Sequence, residues 1–377
     1  MSALLSVYPP LETDALRPRP PARSFPFDQP ALSLTHLGRG AVWRALAALG
    51  LKPGGRLAMP AYHCGSEVEA ARLAGLDIAF YRVKADLSVD EDDLARVAAT
   101  CDAAYVISCF GFPTVARPPA TVLIEDVAHG LFSADGDRWL GAGADAAIYC
   151  PRKSLGTPDG GALLAPGRAA QAGRDASQPD RPPWRRIARS VASLVAGRAA
   201  ISSVPPVRQA ATATLARASK GDAAARRGEL TETVIGEWDL EVSDMETAAR
   251  APSRLTAWAA ARVDGAKIRD RRRAHYQALL ADLAPRCPAR FRHLPAGVCP
   301  LYLPVLAADR AGAIAALLDR GVRGLEIWPV PHPLLDRSLF PELDQARTQL
   351  LALPVHQLLR DEHIDQIRRA AIEVLRP

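Results

Sequence analysis

The chain has 377 residues, 49% of them apolar and 23% charged, with no biased tract, which excludes a disordered or fibrous protein. That length exceeds what one core usually holds and predicts two domains. The net charge of +6 is local: residues 181–227 hold ten Arg or Lys against one acid, Asp222, a net of +9 that leaves about −3 for the remainder.

The first residues, MSALLSVYPPLETDALRPRP, lack the basic start and apolar run of a signal peptide, and no stretch reaches the roughly 20 apolar residues of a membrane span. The expected location is therefore the cytoplasm. Six cysteines (Cys64, Cys101, Cys109, Cys150, Cys287, Cys299) are scattered without CxxC spacing, which predicts neither a zinc site nor a disulfide framework.

In chain order, a Pro-rich entry leads to a helix over about Gly40 to Leu49, with Val42, Leu46 and Leu49 on one face and Gly50 as its stop. Strand-like and helical runs then alternate: RLAMP, a helix Gly65 to Ala74, DIAFYRV, a helix Val89 to Ala99, AAYVIS, TVLIED and AAIYC. Near-continuous apolar strands in such alternation predict an α/β fold, a mainly parallel sheet with helices on both faces. Ligands in that architecture sit beyond the carboxyl ends of the strands, where PAYHC, CFGFP and EDVAH fall. Residues 168–238 lose the alternation and read as a basic, helical or partly mobile insertion in a large domain, 1–244. A small domain, 245–377, is expected to open on one long helix, Met245 to Leu283. It continues through strand CPLYLPVL and helix DRAGAIAALLDRGV to a helix Asp361 to Leu375.

Three local features follow one another in a telling order. Gly38-Arg39-Gly40 opens a helix, where backbone N–H groups and the positive dipole end suit a phosphate; alone, it reads as a turn that simply starts a helix. Asp126 ends TVLIED, where a desolvated anion needs a cation, such as the ring nitrogen of pyridoxal phosphate (PLP); alone, it is equally a helix N-cap. Lys153 follows a strand and precedes a Gly-Gly pair, so desolvation would lower its pKa and free the amine for imine chemistry; alone, it is an ordinary surface charge.

Together these residues resemble the DegT/DnrJ/StrS family of PLP-dependent sugar aminotransferases. GRGAVWRALAALGLKPGGRLAMPAYHC is similar to the family's phosphate-binding helix and P-x-Y strand end. IEDVAHG, YCPRKSLGTPDGG and LPVHQLLRDEHIDQI resemble three further blocks, in order, along nearly the whole chain. The resemblance implies the PLP-dependent transferase fold (fold type I), a seven-stranded-type sheet plus a smaller C-terminal α+β domain. It also implies that Lys153 is the Schiff-base lysine, that Asp126 pairs with the pyridine nitrogen, and that Gly38, Arg39 and Gly40 lie at the phosphate. His129 would stand beside the cofactor's phenolic oxygen; a lone histidine is more often a structural residue, but the spacing of three from Asp126 favours the site.

The departures from the family's pattern matter too. The ring-stacking position falls on Cys64, with His63 before it as the preferred alternative. Cys150 and Arg152 stand where hydroxyls often meet the phosphate, Arg152 as a charge-assisted contact and Cys150 as a filler. The family's Asn-x-Arg reach to the neighbouring subunit is absent from SDMETAARAPSRL, leaving Arg250 or Arg254 as substitutes. The implied activity is transamination in a homodimer, from an amino acid, glutamate first, to a keto sugar or related ketone, with Trp328 and His332 lining the acceptor pocket or simply packing. The rival expectation is a diverged binding module that uses residues 181–227 on an anionic membrane or a partner; nucleic acid is not expected, for want of aromatic interleaving.

Overall fold

The structure is a computed structural model and describes residues 3–12, 24–114, 118, 122–166, 182–215 and 244–376. Short apolar runs form the strands of a seven-stranded sheet. They are β1 (Leu32–Thr35), β2 (Arg56–Pro60), β3 (Asp77–Tyr81), β4 (Ala103–Ile107) and β5 (Val122–Asp126), then, after a small hairpin of β6 (Ala134–Asp135) and β7 (Arg138–Trp139), β8 (Ala146–Tyr149) and β9 (Gly161–Leu164). The spatial order is β1-β9-β8-β5-β4-β2-β3. Strands β3, β2, β4, β5 and β8 are parallel, and β9 is antiparallel to both its neighbours. Every residue of β4 is buried, as a strand covered by helices on both faces must be.

Helices α1 (Gly38–Ala48), α2 (Ser66–Leu73), α3 (Glu91–Ala98) and α4 (Pro151–Leu155) link these strands. In α3 the Asp90 side chain accepts the Asp93 N–H as a cap, and Leu94, Val97 and Ala98 form the buried stripe. Helix α1 begins two residues before its predicted start, so Gly38 and Arg39 are helical. The predicted basic insertion is described over 182–215, where α5 (Trp184–Ala200) buries only Ala200; the rest of 168–238 lies outside the described residues.

The single helix expected over Met245 to Leu283 is three: α6 (Met245–Ala249), α7 (Arg254–Ala260) and α8 (Gly265–Leu283). Apolar periodicity persists across the breaks, but Pro252 lacks the N–H a helix interior needs. Ser253 and Asp264 then cap new starts by accepting the Thr256 and Lys267 N–H groups. A second, antiparallel sheet follows, with β10 (Tyr302–Leu306), β11 (Leu325–Glu326) and β12 (Leu350–Pro354) in the order β10-β12-β11. Helices α9 (Arg310–Asp319), α10 (Asp344–Gln349) and α11 (Asp361–Val374) complete this unit, α8 packing on α11.

The N-terminal residues, expected in the first domain, lie against the second unit. The Leu5 N–H donates to Gly321 O, and Leu5 O accepts from the Arg323 N–H. The segment then runs back to α4. Gly156 closes that helix at φ +63, and a Cβ there would lie 2.1 Å from Pro10 O, so no other residue fits.

Candidate active site

Strands β5 and β8 are parallel neighbours, with Asp126 opposite Ile148. After β8, Cys150 holds the N-cap position of α4 without a side-chain cap and Pro151 fixes the first turn, which carries Lys153 within electrostatic reach of Asp126 at the end of β5. The Lys153 Nζ lies 2.9 Å from His129 Nε2. Cys64, Asp126, Lys153 and Trp328 are each partly exposed in an otherwise buried region, beyond the carboxyl ends of the strands where the ligand cleft of this architecture belongs.

Asp126 accepts hydrogen bonds from Tyr105 OH at 2.7 Å and from the Ala128 N–H at 2.8 Å. Loss of hydration pushes its pKa up, the nearby Glu67 carboxylate adds to this, and Lys153 and the two donors offset only part. For Lys153, loss of hydration opposes the ammonium, but Tyr8, Cys150, Cys64 and Asp126 outweigh it, and the pKa rises above the ordinary lysine value. This corrects the expectation that desolvation would dominate: the chain's own groups favour the charged amine.

Burial and the adjacent Lys153 hold His129 well below the ordinary histidine value. His129 is therefore neutral, its Nε2 accepting from the ammonium, which assigns the proton to Nδ1. That Nδ1 is buried with no partner among the described residues. The imidazole is sandwiched between Phe110, at 5.7 Å and 13°, and Trp328, at 5.2 Å and 25°, with Tyr302 at its edge. Phe110 (φ 58) and Trp328 (φ 43) both occupy the left-handed region, strain that concentrates at functional sites. The Arg347 guanidinium helps hold Trp328 there, donating to its carbonyl at 3.2 Å and to Ala61 O at 2.6 Å.

On the other side of the cleft, α1 starts after Leu37, an apolar residue that supplies no side-chain cap, so its N-terminal N–H groups suit an external anion. A Cβ on Gly38 would stand 3.6 Å from Cys150 Sγ, which brings this helix start beside that of α4. Arg39 is half-buried on the first turn. Gly40 has another reason to be glycine: a Cβ there would lie 2.0 Å from Ala248 O, so its bare face admits α6. Cys150 is buried, its thiol 3.4 Å from Gly160 O, and Arg152 is exposed within electrostatic reach of Tyr302.

Of the two candidates for covering a ring, Cys64 lies within electrostatic reach of Lys153, and its protonated thiol donates to Glu67 at 2.8 Å. His63, the preferred candidate, is engaged elsewhere. It is fully buried and stacked on Phe80, with Nδ1 at 2.9 Å from Pro60 O and Nε2 accepting the His332 N–H at 3.1 Å. His332 is likewise buried and bonded to Glu69 at 3.1 Å, so it packs behind the cleft, whereas Trp328 faces it. Arg250 ends α6 half-buried, and Arg254 opens α7 exposed. Glu67, Tyr8, Tyr105 and Phe110 also surround the amine and its neighbours without having been singled out in the sequence. Glu67 carries the one usable signal, an acid three residues after Cys64 in the first turn of α2.

The sequence matches no family model and no curated protein. Solved structures do match the fold. An aminotransferase, TlmJ, from Streptoalloteichus hindustanus is 19% identical, with 92% of this chain and 86% of that one covered at a TM-score of 0.60. A DegT DnrJ EryC1 StrS aminotransferase from Brucella abortus is 16% identical, with the same coverages and a TM-score of 0.57. Spr1654 from Streptococcus pneumoniae, assigned as a sugar aminotransferase and solved in its PMP form, is 14% identical, with 98% and 99% covered at a TM-score of 0.63. The chain thus has the fold of these aminotransferases, the mainly parallel α/β architecture of the type I PLP-dependent transferases.

Proposed function

We propose that the protein is a PLP-dependent aminotransferase that bonds its cofactor through Lys153. The observation that carries this is the Lys153 amine 2.9 Å from a neutral His129, beside an aspartate with too few donors for its charge. The donor set fits PLP at three points. Asp126 would hold the protonated ring nitrogen, the unpartnered Nδ1 of His129 would donate to the phenolic oxygen, and the uncapped start of α1 with Arg39 would hold the phosphate. Cys64 would lie against a ring face. Bound there, PLP would supply the electron sink that makes the substrate's α-proton acidic.

The chain's own residues do the rest. Lys153 moves the proton, His129 accepts a hydrogen bond from the lysine amine and orients it, and the Phe110 and Trp328 rings keep that imidazole dry and fixed. The strained Trp328 forms the acceptor-side wall. The likeness to sugar aminotransferases supports a keto sugar or related ketone as acceptor, with glutamate as donor and a homodimer as the working form. Adding PLP should give a visible absorbance band that glutamate discharges to the amine form and a suitable ketone restores. Absence of any band in the wild-type protein would overturn the assignment.

A further inference from the structure

Away from the Lys153 cluster, a pocket of about 420 Å³ reaches α4 at Leu155, on the side that carries Gln357 rather than His129. Five cations line it, Arg198, Arg262, Lys267, Arg271 and Arg360, against two carboxylates, Glu12 and Asp264. Both carboxylates are engaged: Asp264 accepts the Lys267 N–H as the cap of α8, and Glu12 accepts from Gln357 Nε2 at 3.4 Å. Three of the cations are held in place by neighbours. Arg262 lies over the Trp258 ring at 4.7 Å, Arg271 donates to Leu359 O at 3.1 Å, and Arg360 donates to Ile201 O at 3.0 Å and pairs with Glu362. Arg198 and Lys267 have no carboxylate partner among the described residues. Like charges converging on one cavity repel unless an anion enters it.

The pocket does not end there. Arg198 and Arg360 also line an adjoining cavity of about 390 Å³ whose other walls include Leu11, Val195, Ile201 and Val207. Val195 and Val207 are 50% and 46% exposed, and Trp184, at the far end of the same helix as Val195, is 71% exposed. A cationic chamber that shares two arginines with a neighbour walled by Leu11, Val195, Ile201 and Val207, with Ser202 and Ser203 beside them, suits an amphiphile. We infer that this double pocket binds a phosphate- or diphosphate-bearing amphiphile, its anion among Arg198, Lys267 and Arg360 and its hydrocarbon chain along Val195 and Val207. Gln357 also donates to Ser154 O at 3.0 Å, so the occupied pocket would lie one hydrogen bond from the residue after Lys153.

The site shares no residue with the Lys153 cluster, so its test stands whether or not the protein proves to be an aminotransferase. The full chain is titrated calorimetrically with geranyl diphosphate and with inorganic pyrophosphate, and the R198A/K267A variant, which leaves the start of α1 intact, separates this pocket from that helix start. Geranyl diphosphate should bind at least about 10-fold tighter, because its chain leaves water. R198A/K267A removes two cations without a described carboxylate partner and should weaken both probes by about 10-fold or more, while V195N, polar but uncharged, should weaken only geranyl diphosphate. Failure of both probes to bind, or unchanged affinity in R198A/K267A, overturns the proposal. Equal affinity for the two probes overturns the amphiphile and leaves a site for a free diphosphate.

Discussion

Two aspartates near α4 are treated in opposite ways. Asp159 is fully buried and its two oxygens receive four donors: His36 Nδ1 at 2.9 Å, the Ser253 N–H and Ser253 hydroxyl at 2.7 Å each, and the Thr256 hydroxyl. A carboxylate accepts about four hydrogen bonds, so Asp159 is saturated and closed to any ligand. It ties the strand before α1, the loop after Lys153 and the start of α7 into one frame. Asp126, by contrast, has two donors, is partly exposed and is pushed toward its neutral form. A saturated acid builds a site; an acid short of donors is where a ligand's cation belongs.

That contrast is most sharply tested at the lysine both aspartates frame. Replacing Lys153 with Ala should lower glutamate-dependent turnover by about a thousandfold or more while the melting temperature holds. The aspartates should then split. Asp159→Ala leaves buried donors orphaned and should cost about 3 kcal/mol of stability in denaturant unfolding. Asp126→Asn removes a poorly compensated charge, so stability should hold or rise while turnover falls by about a hundredfold. A stable D159A or an unfolded D126N would break the comparison.

A smaller effect concerns acid. Burial holds His63 down to about 4, and its Nε2 must stay unprotonated to accept the His332 N–H. Its folded pKa is depressed, so the unfolded chain takes up a proton first. The stability is present above the ordinary histidine pKa near 6.5 and is lost as pH falls, by up to about 2 kcal/mol at pH 5. Unfolding of wild type and His63→Gln across pH 7 to 5 should show a shallower slope in the variant. Comparable in size is the contrast between two glycines at α1: Gly40→Ala, forced against Ala248 O, should cost about 1 to 3 kcal/mol, whereas Gly38→Ala, with only van der Waals contact to Cys150, should cost less than 1.

What could be read in the sequence was local. The strand ends, the spacing of Asp126 and His129, and Lys153 before a Gly-Gly pair are short-range patterns, and the alternation of runs sufficed for a mainly parallel sheet. Strand β1 was not visible, because LSLT is short and owes its pairing to β9, far along the chain. Tyr8 beside the amine was hidden for the same reason, and Phe110, though in the strand-end segment CFGFP, gave no sign of its stacking on His129, which only tertiary folding creates. Helix α8 was joined to α6 and α7 because periodicity outweighed Pro252 and two capping residues. His63 misled because residue type and proximity to Cys64 do not tell which way a side chain turns, whereas two hydrogen bonds and Phe80 do. Lys153 misled in its pKa because burial was legible and the surrounding polar groups were not.

The central claim is that Lys153 carries the cofactor. Incubating the protein with PLP, reducing with borohydride and mapping the peptides by mass spectrometry tests it directly. The pyridoxyl mass should sit on the tryptic peptide containing Lys153 and vanish in Lys153→Ala; labelling of another lysine, or of none, would contradict it.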